Sequence, residues 1–144
     1  MTGPAGCALT MIDGRWPLWL PEHRAARPEW PWWEAARLAA THHHLRPGHV
    51  VYDVGSEEGD LSALYASWGC QVVLAEPNPK AWPCIRATFE ANRLAPAAWW
   101  QGLLSDKVWA IDAQARLGLV DWPACAYDPM VPMARAFPAA AATT

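Results

Sequence analysis

The residues of this chain best placed to do chemistry are a few acids and two glycines at short spacing. In residues 51–61, VYDVGSEEGDL, an apolar run enters a turn that carries Asp53, Gly55, Ser56, Glu57, Glu58, Gly59 and Asp60, and an amphipathic helical pattern follows. About 20 residues further on, the distance expected between the two ends of a nucleotide-binding βαβ unit, a second apolar run, QVVLAEPNP, ends in Glu76, Pro77 and Asn78. A glycine turn after a strand lets a ligand come close to the backbone. An acid at the end of the next strand can accept hydrogen bonds from both hydroxyls of a ribose. The chemistry implied is the binding of a nucleoside cofactor at the open end of a parallel sheet.

The turn argues against a dinucleotide. A nicotinamide or flavin fingerprint wants GxGxxG, whereas here Glu57 stands where a middle glycine belongs. A pyrophosphate needs bare N–H groups and positive potential at a helix N-terminus, and Asp53, Glu57, Glu58 and Asp60 would repel it. S-adenosylmethionine has no phosphate and carries an ammonium and a sulfonium, so an acidic glycine loop suits it. The plainer reading of Glu58 and Asp60 is that acids in a first helical turn complement the dipole; Asp53, inside the strand end, is the stronger ligand candidate.

Other reactive side chains carry less. His42, His43 and His44 are consecutive, and neighbouring helical residues point about 100° apart, so they cannot jointly ligate one ion from a regular helix. They read as a solvated helix end. A general base for an acceptor hydroxyl is the functional alternative. Cys7, Cys70, Cys84 and Cys125 are widely spaced with no CxxC, so the sequence signals neither a zinc site nor a disulfide framework. Cys70, beside the second strand, reads as a small buried hydrophobe.

These residues need elements to hold them. A helix is expected over residues 33–44, with Ala35, Leu38, Ala39, His42 and Leu45 on one face, stopped by Arg46, Pro47 and Gly48. A first strand then covers 49–54. The next helix places Leu61, Leu64, Tyr65 and Trp68 at i, i+3, i+4 and i+7, with Gly69 as its cap. The third helix is expected to begin with Asn78 as cap and Pro79 as first residue, to kink at Pro83, and to bury Trp82, Ile85 and Phe89. Residues 98–104 read as a third strand, and 108–111 as a short fourth. In the first 29 residues no period is firm, although WPLWLP can lie extended across an apolar surface. Of the 11 tryptophans, Trp68 and Trp82 fall on core stripes. Trp30, Trp32 and Trp33 are expected to pack on the sheet, with a lid or stacking wall for a ring-shaped acceptor as the alternative.

DVGSEEGDLSAL, VVLAEPNP, a helix ending EANRL and a strand ending LLSD together resemble the FkbM-type branch of the S-adenosylmethionine-dependent methyltransferases, over residues 45–106. The resemblance implies a Rossmann-like α/β fold of the class I methyltransferase type, an open parallel sheet with flanking helices. It implies that Asp53, Gly55, Ser56 and Gly59, with Glu57 in the same loop, line the methionine end of the cofactor. Glu76 would hold the ribose, and Pro77 and Asn78 would border the adenosine. Leu103 occupies the place where many such enzymes carry an acid for the adenine, so that contact has no residue here, and Asp106 lies further along. The later IDVEG-like strand of the family does not occur before Thr144. A doubly wound methyltransferase needs about seven strands and about 200 residues. The 144 residues therefore read as a C-terminally incomplete domain: an extension over 1–32, a cofactor domain over 33–111, and a linker or irregular segment over 112–144.

A net charge of −3 and a pI of about 5.9 leave no basic footprint for nucleic acid. No apolar run reaches the roughly 18 residues of a membrane span, and the N-terminus lacks a signal-peptide layout, so a reducing cytoplasm is the expected compartment. The function expected is methyl transfer from S-adenosylmethionine to the hydroxyl of a small molecule or sugar, with no nameable acceptor-side catalytic residue and no metal. The alternatives are a non-catalytic remnant or binding module, and then a nicotinamide-dependent oxidoreductase. An incomplete sheet would also leave an edge that recruits a partner chain or a second copy.

Overall fold

A computed structural model describes residues 3–101, in the order β1 (Cys7–Ile12), β2 (Trp16–Pro21), α1 (Glu22–Ala25), α2 (Ala35–His44), β3 (Val50–Val54), α3 (Asp60–Ser67), β4 (Gln71–Ala75), α4 (Trp82–Ala91) and β5 (Ala98–Trp100). The fold is mixed α/β. Strands β3, β4 and β5 form a parallel sheet in that order, with α3 and α4 as the connections. The expected βαβ pattern around the glycine turn is therefore present. Such a sheet with its flanking helices is compatible with a Rossmann-like arrangement. The expected fourth strand at 108–111, the 112–144 segment, Leu103, Asp106 and Cys125 lie outside the described residues.

Strand β4 is the centre. Val72, Val73, Leu74 and Ala75 are all buried, which is how a parallel strand covered on both faces reads: a continuous apolar run rather than an alternation. Strand β3 differs. Val50, Tyr52 and Val54 are exposed on one face, and among the described residues β3 pairs only with β4.

Residues 7–21, within the stretch that lacks a firm period in sequence, form an antiparallel hairpin. Its turn is the Asp-Gly pair: Asp13 and Gly14 both have positive φ, 50° and 63°, and Arg15 N–H donates to the Ile12 carbonyl over 3.0 Å. Two positive φ angles match the right-handed twist of a hairpin. WPLWLP is extended as expected, as β2, and it covers apolar surface: Leu18 and Leu20 are buried with Ile12 and Trp30 in the same core as Leu38, Leu64, Ile85 and Phe89. Asn92, just past α4, fastens the hairpin to that core. Its amide accepts from Trp19 N–H at 2.8 Å and donates to the Trp19 carbonyl at 2.7 Å.

The helices follow their sequence signals with one correction. Helix α3 ends as expected at Gly69, whose N–H donates to the Ala66 carbonyl at 2.9 Å while Cys70 N–H reaches Tyr65 at 3.2 Å, a Schellman closure. Helix α4 does not start at Pro79 and does not kink at Pro83. Asn78 Oδ1 instead accepts from Lys80 N–H at 3.0 Å and closes a separate turn, so the helix begins at Trp82. Pro83 then sits in the first turn, where its missing N–H would have had no intrahelical partner. The expected stripe of Trp82, Ile85 and Phe89 is buried. Among the described residues, no helix is long and apolar enough to cross a membrane.

Candidate functional site

A cleft of about 340 Å³ opens where β3 ends, near the lower end of the size range for small-molecule pockets. Its floor is Asp53, Val54, Gly55, Ser56 and Glu57, the strand end and the turn. The N-terminus of α3 adds Asp60 and Leu61, and the opposite wall comes from Arg24 and Arg27 near α1 and from Trp33, Glu34 and Arg37 at the start of α2. Of the eight residues expected to hold a cofactor, the structure brings Asp53, Gly55, Ser56 and Glu57 to this cleft. Gly59, Glu76, Pro77 and Asn78 do not line it.

Local hydrogen bonds explain why the turn takes this shape. Gly55 and Ser56 N–H both donate to the Ala75 carbonyl, at 2.7 and 3.1 Å, which extends the β3–β4 pairing into the turn. The Ser56 hydroxyl is also consumed locally, donating to the Asp53 carbonyl at 2.8 Å. Glu76 lies beneath the turn and is buried. Its carboxylate accepts from Glu57 N–H at 2.8 Å and from Asn78 N–H at 2.6 Å. One acid thus pins both the glycine turn and the turn that precedes α4. A strand-end acid facing a cleft would contact little, but here two backbone amides depend on it.

The two glycines do different work. A Cβ on Gly55, at φ 76°, would meet nothing within 4 Å, so the cleft there is open to a ligand. A Cβ on Gly59, at φ 83°, would lie 3.1 Å from Ile85 Cγ1 and 3.2 Å from Ile85 Cα. Gly59 is therefore what lets α3 approach α4, and its role in the structure is packing.

Charge in the cleft is mostly paired. Arg24 is bound by Asp60 and by Glu58, whose Oε2 is 2.7 Å from Arg24 Nε; Arg27 pairs with Glu29, and Arg37 with Glu34. Asp53 and Glu57 form no ion pair among the described residues. Asp53 accepts from the Ser62 hydroxyl, and burial holds its carboxyl above the usual range despite that bond and the attraction of Arg37. Burial pushes Asp60 up too, against the pull of Arg24. Asp60 Oδ1 is buried with no hydrogen-bond partner among the described residues.

The tryptophans divide. Trp30 is buried, with its Nε1 donating to the Arg24 carbonyl at 2.8 Å, and Trp33 meets it edge-on at 4.9 Å while facing the cleft. Trp32 is 65% exposed. Trp82 is core, and Trp68 packs beside the core. His42, His43 and His44 are exposed in the last turn of α2 as expected, with the His42 ring 4.7 Å from Trp68. Cys70 is buried, as expected.

Sequence reasoning did not find the far wall of the cleft. Arg24, Arg27 and Arg37 are distant from the loop in sequence, and no local pattern marks them as neighbours of Asp53. The only signal was the helical period of α2, which places Trp33 and Arg37 near one end of a helix without saying what that end faces. Comparison of the chain with known protein families and with curated proteins returns no match.

Proposed function

We propose that this domain binds S-adenosylmethionine in the cleft at the end of β3 and belongs to a methyltransferase of the class I type acting on a small-molecule or sugar hydroxyl. The observation that carries the reading is the sign of the unpaired charge beside Gly55. All three arginines of the cleft are matched by acids, so the groups left for a ligand are the carboxylates of Asp53 and Glu57 and the unpartnered Oδ1 of Asp60. Those groups favour an ammonium and a sulfonium, and they disfavour a pyrophosphate. The likeness of the glycine loop and EPNP segment to FkbM-type enzymes supports the same choice.

In this reading Asp53 and Asp60 accept from the ammonium, and Gly55 lets the methionine portion lie against the backbone. The nucleoside would then extend past the cleft along the end of β4, where Glu76, buried with two backbone amides on its carboxylate, would offer its remaining lone pairs to the ribose hydroxyls. Pro77 and Asn78 border the adenosine. The sulfonium is already a good leaving group, so transfer is a displacement in which the acceptor oxygen forms the new bond to the methyl carbon as the sulfur–carbon bond breaks. The protein's part is alignment and exclusion of water. Acceptor-side groups are not named among the residues of the three parallel strands.

Thermal unfolding with and without S-adenosylhomocysteine tests the reading. A hundredfold excess over Kd should raise Tm by roughly 5–10 °C for a domain of this size. Asp53→Asn should remove most of the shift while leaving the domain folded. An unaltered Tm at saturating S-adenosylhomocysteine, or an undiminished shift in the variant, would remove this cofactor or this residue from the account.

A further inference from the structure

Outside the cleft, three side chains of different chemistry converge from parts of the chain that no sequence spacing connects. His23 comes from the short helix α1, Glu58 from the glycine turn, and Cys84 from the first turns of α4. One ligand atom from each lies within 4.8 Å of the other two. His23 Nε2 is 3.5 Å from Glu58 Oε2 and 4.0 Å from Cys84 Sγ. We propose that His23, Glu58 and Cys84 form a binding site for a zinc ion.

The distances fit the metal. With Zn–S near 2.3 Å and Zn–N and Zn–O near 2.0–2.1 Å, tetrahedral geometry places sulfur and nitrogen about 3.6 Å apart, and nitrogen and oxygen about 3.3 Å apart. The His23–Glu58 and His23–Cys84 separations exceed these by only a few tenths of an ångström, and the Glu58–Cys84 pair, within 4.8 Å, closes the rest by side-chain rotation. The donor set also fits. Thiolate, imidazole and carboxylate together suit zinc, whereas calcium and magnesium want oxygen alone. The charges close as well: a thiolate and a carboxylate balance the dication, and Arg24, which also touches Glu58, stays balanced by Asp60. His23 is 61% exposed on its side chain, so a water completes the fourth position and the ion can enter from solvent.

Such an ion would do mechanical work. Glu58 lies between Glu57, which lines the cleft, and Gly59, which sets the contact of α3 with α4. Zinc held by all three residues would tie α1, the glycine turn and α4 to a single point and fix the turn's position. The site is separate from the cleft and does not depend on which cofactor the cleft takes.

The test is metal binding by the full 144-residue chain, stripped of metal, titrated with zinc against a chromophoric chelator and, in parallel, with cobalt as a spectroscopic substitute. One equivalent should bind, and cobalt should give a thiolate-to-metal charge-transfer band in the near ultraviolet. Cys84→Ser and His23→Ala should each weaken zinc at least about 100-fold, since even outer-sphere partners of metal ligands are worth 10–100-fold. Cys84→Ser should also abolish the cobalt band, with circular dichroism confirming that both variants fold. Zinc should raise Tm in the unsubstituted chain and not in the variants. Absence of stoichiometric binding, a cobalt complex without the thiolate band, or equal affinity in the folded variants would each overturn the proposal.

Discussion

At the residue scale, the two glycines of the turn differ in their surroundings, open at Gly55 and packed on Ile85 at Gly59, and substitution should show it. Alanine at either position adopts a left-handed φ at a cost of about 1–2 kcal/mol. At Gly59 the new methyl also meets Ile85, adding about 1–3 kcal/mol of overpacking. Gly59→Ala should therefore be the more destabilising by chemical denaturation, while Gly55→Ala should keep more stability and lose more cofactor affinity. The reverse order of stability would show that the turn, not the helix contact, limits position 59. Asp53 gives a prediction in pH. Burial raises its folded pKa above the ordinary 3.8, so its charged form costs stability at neutral pH. That cost is absent below the unfolded value and grows as pH rises through the folded one. Asp53→Asn should melt higher than the unsubstituted chain at neutral pH, with the advantage shrinking as pH falls toward 3.8. No advantage at neutral pH would mean that the Ser62 hydrogen bond and the attraction of Arg37 outweigh the cost of burial. A gain in stability with a loss of binding is what a functional acid in a poorly solvated site produces.

At the element scale, the hairpin β1–β2 is held to the parallel sheet's helices by apolar contact and by one side chain. Asn92 answers both backbone groups of Trp19 and also donates to the Thr88 carbonyl at 2.7 Å. Asn92→Ala should cost about 2 kcal/mol, two or more net hydrogen bonds, and should raise amide exchange first at Trp19. A cost below about 0.5 kcal/mol would show that burial of Leu18 and Leu20 alone fixes the hairpin. The elements that sequence made legible were those with a strong period and matching caps: α3, closed at Gly69, and the stripe Trp82, Ile85 and Phe89. β1 was hidden because its exposed Leu9 and Met11 are as apolar as its buried Ile12, so the alternation has no contrast. The Asp13-Gly14 turn was the available signal. The start of α4 was misplaced because Asn78 and Pro79 form a good cap in isolation, but Asn78 closes its own turn and Glu76 takes its N–H.

At the scale of the whole molecule, one end of a parallel sheet gathers the loop, the start of α3 and the residues around α1 and α2 into one cleft. One side of that cleft was readable. Asp53, Gly55, Ser56 and Glu57 are contiguous, so a local motif reveals them. The opposite wall depends on how the N-terminal hairpin and α2 fold back, a long-range result of core packing that leaves no local trace. The central claim is that the cleft prefers a cationic, phosphate-free nucleoside, and isothermal titration of the purified chain tests it most directly. Titration with S-adenosylhomocysteine and S-adenosylmethionine should give saturable heats at about one equivalent, and NAD should give none. Saturable binding of NAD with no heat from either S-adenosyl compound would contradict the account.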